Sequence, residues 1–246
     1  LATVAARLAH TIRRDDLSVA SVIRAWSTRP ALPARCALVV RSRDDLLTQL
    51  DVLAANDFPD NAAVALADGH KPRVAFLFPG QGAQRVGMLR TIAQRFPIVR
   101  ERMLAFEAAI GDRLSVPLTQ LIWPEAGISD QAAEERLRHT ANAQPALVAV
   151  GLALAALLDE LGIQPVVATG HSLGEFCAAA VAGAMSAEDA VRFAVARGEA
   201  MAAVSGDPGA MIALPVGLEQ AQALLVEGAV VANVNHPQQV VVSGTT

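Results

Sequence analysis

The feature that most narrows the fold is an apolar run that ends on a glycine and passes at once into helix-forming residues. Residues 165–169 (Pro-Val-Val-Ala-Thr) read as a short strand, Gly170-His171-Ser172-Leu173-Gly174 as a tight turn, and residues 175–184 as a helix. The pattern has an earlier counterpart. Residues 74–78 (Val-Ala-Phe-Leu-Phe) run into Pro79-Gly80, and a helical stretch over residues 88–110 follows. Strands this short and apolar suit a parallel sheet buried on both faces. Strands alternating with helices predict an α/β fold with a parallel sheet.

Three segments are expected. Residues 1–70 read as a small α/β unit: a helix over 1–12, a strand over 36–40, a helix over 44–54 and a weak strand over 61–66. Leu46, Leu47, Leu50 and Leu53 carry the helical spacing, and turn chemistry at residues 68–72 marks the boundary. Residues 71–206 hold the sheet core, with an apolar helix over 145–161 and another over 187–204 that Ser186 caps. Residues 117–140 look less regular. After the turn at 206–209 the order becomes strand, helix, strand, strand. That is the start of a ferredoxin-like subdomain, which needs one more helix and strand. Residues 207–246 are therefore expected to form an incomplete subdomain, cut inside its fold.

Composition removes several function classes. At 53% hydrophobic with a net charge of −4, the chain has a core to bury and no basic face for nucleic acid. Two cysteines cannot build a disulfide framework, so the expected setting is cytoplasmic. The longest apolar run, residues 146–158, falls short of the roughly 20 residues a bilayer span needs. No membrane partner is expected, and the N-terminus has no basic-then-apolar leader pattern.

The turn at 170–174 has the G-x-S-x-G form of a nucleophile elbow, in the strand–turn–helix setting that elbow requires. It lifts the Ser172 hydroxyl above the sheet edge. The flanking glycines are needed because a side chain there would meet backbone. The plainer alternative makes Ser172 a helix cap, which does not call for glycine on both sides. His171 adjoins the serine on a tight turn and is expected to orient structure, not to act as base. The loop Pro79-Gly80-Gln81-Gly82-Ala83-Gln84 is not a dinucleotide fingerprint, because Arg85 stands where a small residue must. It is better suited to an oxyanion hole. Leu173, after the nucleophile, supplies one backbone N–H, and Gln81 is the candidate for the second. An ordinary glycine turn is the alternative.

On the helix over 187–204, Glu188, Arg192 and Glu199 form a solvated face. Arg197 lies about 180° from Glu188, beside Ala190, Phe193, Met201 and Val204. A guanidinium on an apolar face needs a carboxylate, from the protein or from a ligand. Periodicity alone leaves an internal salt bridge or a snorkelling side chain open. A ligand there is anionic, and a planar carboxylate fits best.

Taken together, Phe78–Gln84, Ala143–Leu147, Gly170–Glu175, Arg197-Gly198 and Asn233–Val241 resemble the malonyl-CoA:acyl-carrier-protein acyltransferase family, in particular the acyltransferase domains of modular polyketide synthases. The order agrees, including the 25 residues from Ser172 to Arg197. The resemblance covers residues 74–246 and implies a parallel-sheet, hydrolase-like core there. More loosely, residues 1–70 resemble the linker that joins a ketosynthase to its acyltransferase. It implies Ser172 as the acylated nucleophile, Gln81 and Leu173 as oxyanion donors, and Arg197 as the partner of a malonyl carboxylate. Gln144, His171 and Asn233 match positions that line the family's substrate pocket. The implied chemistry takes an acyl group from acyl-coenzyme A and passes it to the phosphopantetheine thiol of an acyl carrier protein. It uses no metal and no bound cofactor. An adjacent ketosynthase in the same polypeptide is the other implied partner. Leu173 after the serine resembles malonyl-selective members.

The family's base is a histidine in a later loop. His236 is the histidine downstream of Ser172, and it matches a different segment, so the base is expected beyond residue 246 and this chain alone is expected to be nearly inactive. Two rival readings are a serine esterase of the α/β-hydrolase type and a non-catalytic docking segment of a synthase.

Overall fold

The computed structural model describes residues 1–30, 32–66, 72–203 and 209–245. Residues 68–71 of the turn expected at 68–72, residues 206–208 of that expected at 206–209, and position 204 lie outside the described residues. The chain divides into two compact units, Leu1–Pro72 and Arg73–Thr246.

The first unit contains α1 (Ala2–Arg14), α2 (Val19–Ser27), β1 (Ala34–Leu38), α3 (Arg43–Ala54) and β2 (Ala62–Leu66). Strands β1 and β2 pair antiparallel, from Ala34 against Leu66 to Leu38 against Ala62. Ala5, Ala9 and Ile12 of α1 bury one helical stripe with Leu46, Leu50 and Leu53 of α3. Ser18 and Ser42 cap α2 and α3 by accepting from Ser21 N–H and Asp45 N–H.

The second unit begins with β3 (Val74–Phe78), α4 (Arg90–Arg95), α5 (Pro97–Ile110), α6 (Leu118–Ile122), α7 (Asp130–Arg138) and α8 (Thr140–Glu160). It continues through β4 (Pro165–Gly170), α9 (Gly174–Val181) and α10 (Ala187–Ala202). It then adds β5 (Ala210–Leu214), α11 (Leu218–Ala223), β6 (Ala229–His236) and β7 (Gln239–Gly244). The helix expected over 88–110 is two helices. Pro97 restricts Phe96 to extended backbone (φ −120°, ψ 103°) and opens α5 as its first residue. The irregular stretch contains α7, which Ser129 caps by accepting from Ala132 N–H. Its largely polar composition hides the period.

Helix α8 starts at Thr140 instead of Pro145, because a proline near a helix start forfeits one backbone bond only. It has 21 residues, and its mean hydropathy of 1.7 makes it long and apolar enough to cross a membrane, with 61% of that window buried inside the unit. Ala146, Val148, Ala149, Leu152 and Ala153 form the centre of the core with Val99, Met103 and Phe106 of α5 and Val191 and Ala194 of α10.

Strands β3 and β4 pair in parallel, ending Phe78 against Gly170. The expectation that both are buried on two faces is corrected. Phe76 and Phe78 enter the core, while Leu77 is 75% exposed and Val166 and Val167 are exposed too. The described sheet has two strands here, and helices cover only the Phe76–Phe78 face. The small sheet has the order β5-β7-β6, with β7 antiparallel to both neighbours. β5 and β6 therefore run parallel with β7 between them, the split β-α-β arrangement.

Candidate active site

The turn at the end of β4 takes the elbow conformation. Ser172 is exposed and its φ is +52°, a left-handed backbone that a serine adopts only where the surroundings hold it. The glycines are there for space. A Cβ on Gly170 would lie 2.0 Å from Gly174 C, and one on Gly174 would lie 2.2 Å from Phe78 O. The end of β4, the start of α9 and the end of β3 thus meet backbone to backbone beneath the serine. His171 N–H donates to Phe78 O at 3.0 Å and locks the two strand ends together.

The glycine loop leaves β3 at this point. Gly82 adopts φ +113°, and its N–H donates to the buried Gln84 Oε1 at 2.8 Å. Arg85 closes the loop by donating to Gly82 O and Gln84 O. Gln81 Nε2 donates to Thr140 Oγ1 at 3.2 Å, which ties the loop to the first residue of α8. The backbone N–H groups of Gln81 and Leu173 have no acceptor among the described residues. Unpaired amides at a helix start and beside a strained serine are the donors that an oxyanion requires.

Arg197 arrives from α10. Gly198 permits this: a Cβ there would lie 2.9 Å from Ala141 Cα, so α10 packs directly on the first turn of α8. Arg197 NH1 donates to Gln144 Oε1 at 2.8 Å, and NH2 donates to Ser172 Oγ at 3.3 Å. No carboxylate pairs with Arg197 among the described residues. Glu199, the nearest acid on its helix, is engaged by Arg113. The face assigned from periodicity is corrected. The side of α10 that enters the core is Ala190, Val191, Ala194, Val195 and Gly198, whereas Phe193 and Met201 are exposed. Arg197 is half-buried and turned towards the serine, not sunk in the core.

The remaining candidates divide. Gln144 is fully buried beneath Arg197. His171 Nε2 donates to Asn235 Oδ1 at 3.2 Å, and a Cβ on Gly80 would lie 2.7 Å from its Nδ1. His171 therefore rests on the glycine loop and reaches β6. Asn233 is exposed on β6 and makes no described side-chain hydrogen bond; the neighbour that meets His171 is Asn235. Sequence reading missed Asn235, although both asparagines stand in one motif. The β6–β7 register shifts between Val234 and His236, so Asn235 stands at a bulge. Thr140 and Met201 were also missed, and their types gave no signal. His236 Nδ1 accepts from Gln238 N–H within its own turn.

Cys177 lies under the elbow on α9, and burial pushes its thiol up to about 12. It is no rival nucleophile near neutral pH. Iodoacetamide at pH 8 is expected to spare Cys177 in the folded chain and to modify it in denaturant, as peptide mass mapping would read; equal labelling in both states would contradict this burial.

A strained, exposed serine, two free amides and an unneutralised guanidinium now stand together. The family model of the acyl transferase domain matches residues 75–246. The chain belongs to the acyl transferase domain family. It is 38% identical over 237 residues to the phenolphthiocerol synthesis polyketide synthase type I Pks15/1 of Mycobacterium marinum, covering 96% of this chain and 11% of that protein. It is 37% identical over 246 residues to the mycoketide-CoA synthase of Mycobacterium tuberculosis, covering 98% and 6%. Among solved structures, the acyl transferase domain of ZmaA superposes with a TM-score of 0.81 at 27% identity, over 100% of this chain and 56% of that one. The malonyl CoA-acyl carrier protein transacylase of Clostridium perfringens superposes with a TM-score of 0.59 at 29% identity, over 71% and 54%. The chain thus spans a small fraction of its curated relatives and about half of the solved domains. Its fold is the α/β acyltransferase fold that these solved domains share.

Proposed function

We propose that this acyl transferase domain moves a malonyl-type group from coenzyme A to the phosphopantetheine thiol of an acyl carrier protein by way of an acyl-Ser172. One observation carries the reading: the Arg197 guanidinium stands 3.3 Å from the Ser172 hydroxyl with no described carboxylate to neutralise it. A cation left unpaired beside a nucleophile suits an acyl group whose far end is an anion.

In the first half-reaction Ser172 Oγ attacks the thioester carbonyl, and the oxyanion accepts from Gln81 N–H and Leu173 N–H. The thiolate of coenzyme A leaves, and Arg197 holds the distal carboxylate through its planar fork. In the second, the carrier thiol attacks the acyl-serine and returns the hydroxyl. Among the described residues no histidine is hydrogen-bonded to Ser172 Oγ. The reading therefore takes its base from a histidine elsewhere in the polypeptide.

Finer assignments belong to the same reading. Residues 1–70 serve as the linker to a preceding ketosynthase. The β5-β7-β6 sheet is part of a ferredoxin-like subdomain, an assignment supported by the central position of β7. A cytoplasmic setting agrees with two free thiols. Leu173 after the serine favours malonyl as the extender.

The test is covalent labelling. Malonyl-CoA is expected to add one malonyl group at Ser172, read by peptide mass spectrometry, slowly in this chain and faster in a longer polypeptide that brings a histidine to the site. Label on another residue, or label that persists in Ser172→Ala, would overturn the reading, as would an unlabelled Ser172 in both polypeptides.

A further inference from the structure

The cation at this site is held by an amide, where an internal partner for arginine is ordinarily a carboxylate. Gln144 is fully buried on the first turns of α8. Its Oε1 accepts from Arg197 NH1 at 2.8 Å, and its Nε2 points at Met201 Sδ, 3.2 Å away. These two contacts define the amide's orientation. The thioether is an acceptor only, so it takes the NH2 end and leaves the carbonyl end for the guanidinium. Met201 stands one turn beyond Arg197 on α10, so a single helix presents both ends of the clamp.

We propose that Gln144 is a positioning residue that aims Arg197 at the substrate while leaving its charge unneutralised, with Met201 fixing which end of the amide faces the guanidinium. The proposal rests on the reading of Arg197 as the carboxylate site. A buried carboxylate at position 144 would hold the guanidinium as firmly. It would also complete an internal ion pair and leave little attraction for a ligand's anion. A buried apolar side chain would leave the charge intact but one donor unsatisfied, and the guanidinium would turn to find an acceptor. The amide avoids both outcomes. It satisfies NH1 and leaves the rest of the fork, which now touches Ser172 Oγ, for an incoming carboxylate.

Binding measures this without requiring turnover. The probes are two unreactive analogues of acyl-coenzyme A in which a methylene replaces the thioester sulfur, one malonyl and one acetyl, titrated calorimetrically into the chain. The wild type is expected to bind the malonyl analogue more tightly. Gln144→Glu is expected to reduce that preference by about ten- to a hundredfold while moving the acetyl affinity less than about threefold. Gln144→Met, of similar shape and with no charge, is expected to reduce it by about tenfold. Equal weakening of both analogues would make Gln144 a packing residue only, and an unchanged preference in Gln144→Glu would refute the charge argument. A wild-type chain that does not prefer the malonyl analogue would overturn the reading of Arg197 itself, and this proposal with it.

Discussion

Arg197→Ala is expected to lower the rate of malonyl loading onto Ser172 by about a hundred- to a thousandfold. Each charge-assisted hydrogen bond to a carboxylate contributes about 1.5–3 kcal/mol, and the planar fork makes two. Water replaces part of what is lost, so the loading barrier is expected to rise by the lower part of that sum, about 3–4 kcal/mol, at 1.4 kcal/mol per tenfold. A neutral donor such as acetyl-CoA never used those bonds, so its loading is expected to change by less than about threefold. Arg197→Lys keeps the charge without the fork and is expected to recover about a tenth of the malonyl rate. Parallel single-turnover loading with the two thioesters reads the ratio directly. An unchanged ratio in Arg197→Ala would end the account of this residue. It would leave the esterase reading, in which the same elbow acts on uncharged acyl groups with no use for the arginine.

Gly174→Ala is expected to destabilise the second unit by more than about 3 kcal/mol and to lower its melting temperature by about 8 °C or more. The reason is the wall that the new methyl meets. Its Cβ would lie 2.2 Å from Phe78 O and 2.7 Å from Phe78 C, which are backbone atoms at the end of β3. They cannot move without breaking the His171 N–H to Phe78 O bond that joins the two strand ends. Gly151→Ala is the control. There the methyl would meet Cys177 Sγ at 3.1 Å and Phe78 Cδ1 at 3.2 Å, side-chain atoms able to shift by a few tenths of an ångström. Inside a helix an alanine also gains about 1 kcal/mol over glycine. Gly151→Ala is therefore expected to change stability by less than about 1 kcal/mol. Circular-dichroism melts of the two variants compare backbone with side-chain walls, and equal losses would refute the distinction.

Helix α10 marks where sequence and structure part. Its Ser186 cap, its helical run and the oddity of Arg197 were legible from residue types. Its buried side was not. A helix wheel ranks residues by apolarity alone, and Phe193 and Met201 outweighed the small residues Ala194 and Gly198 that actually enter the core. Small residues win that position because α8 lies too close for larger ones, and that closeness is a property of the packed pair. Pro97 likewise carried a break that the long apolar period concealed.

By itself, the sequence determined what depends on neighbours along the chain. The strand, turn and helix around Ser172, the lack of room for a methyl at Gly170, the caps and the order of strands in the small sheet's segment are all local matters of backbone sterics and hydrogen-bonding reach. Tertiary structure alone decided what depends on distance across the fold. It brought Asn235 and not Asn233 to His171, and gave Arg197 an amide instead of a carboxylate. Position 144 precedes position 197 by 53 residues. No local preference couples residues so far apart; the close approach of two helices does.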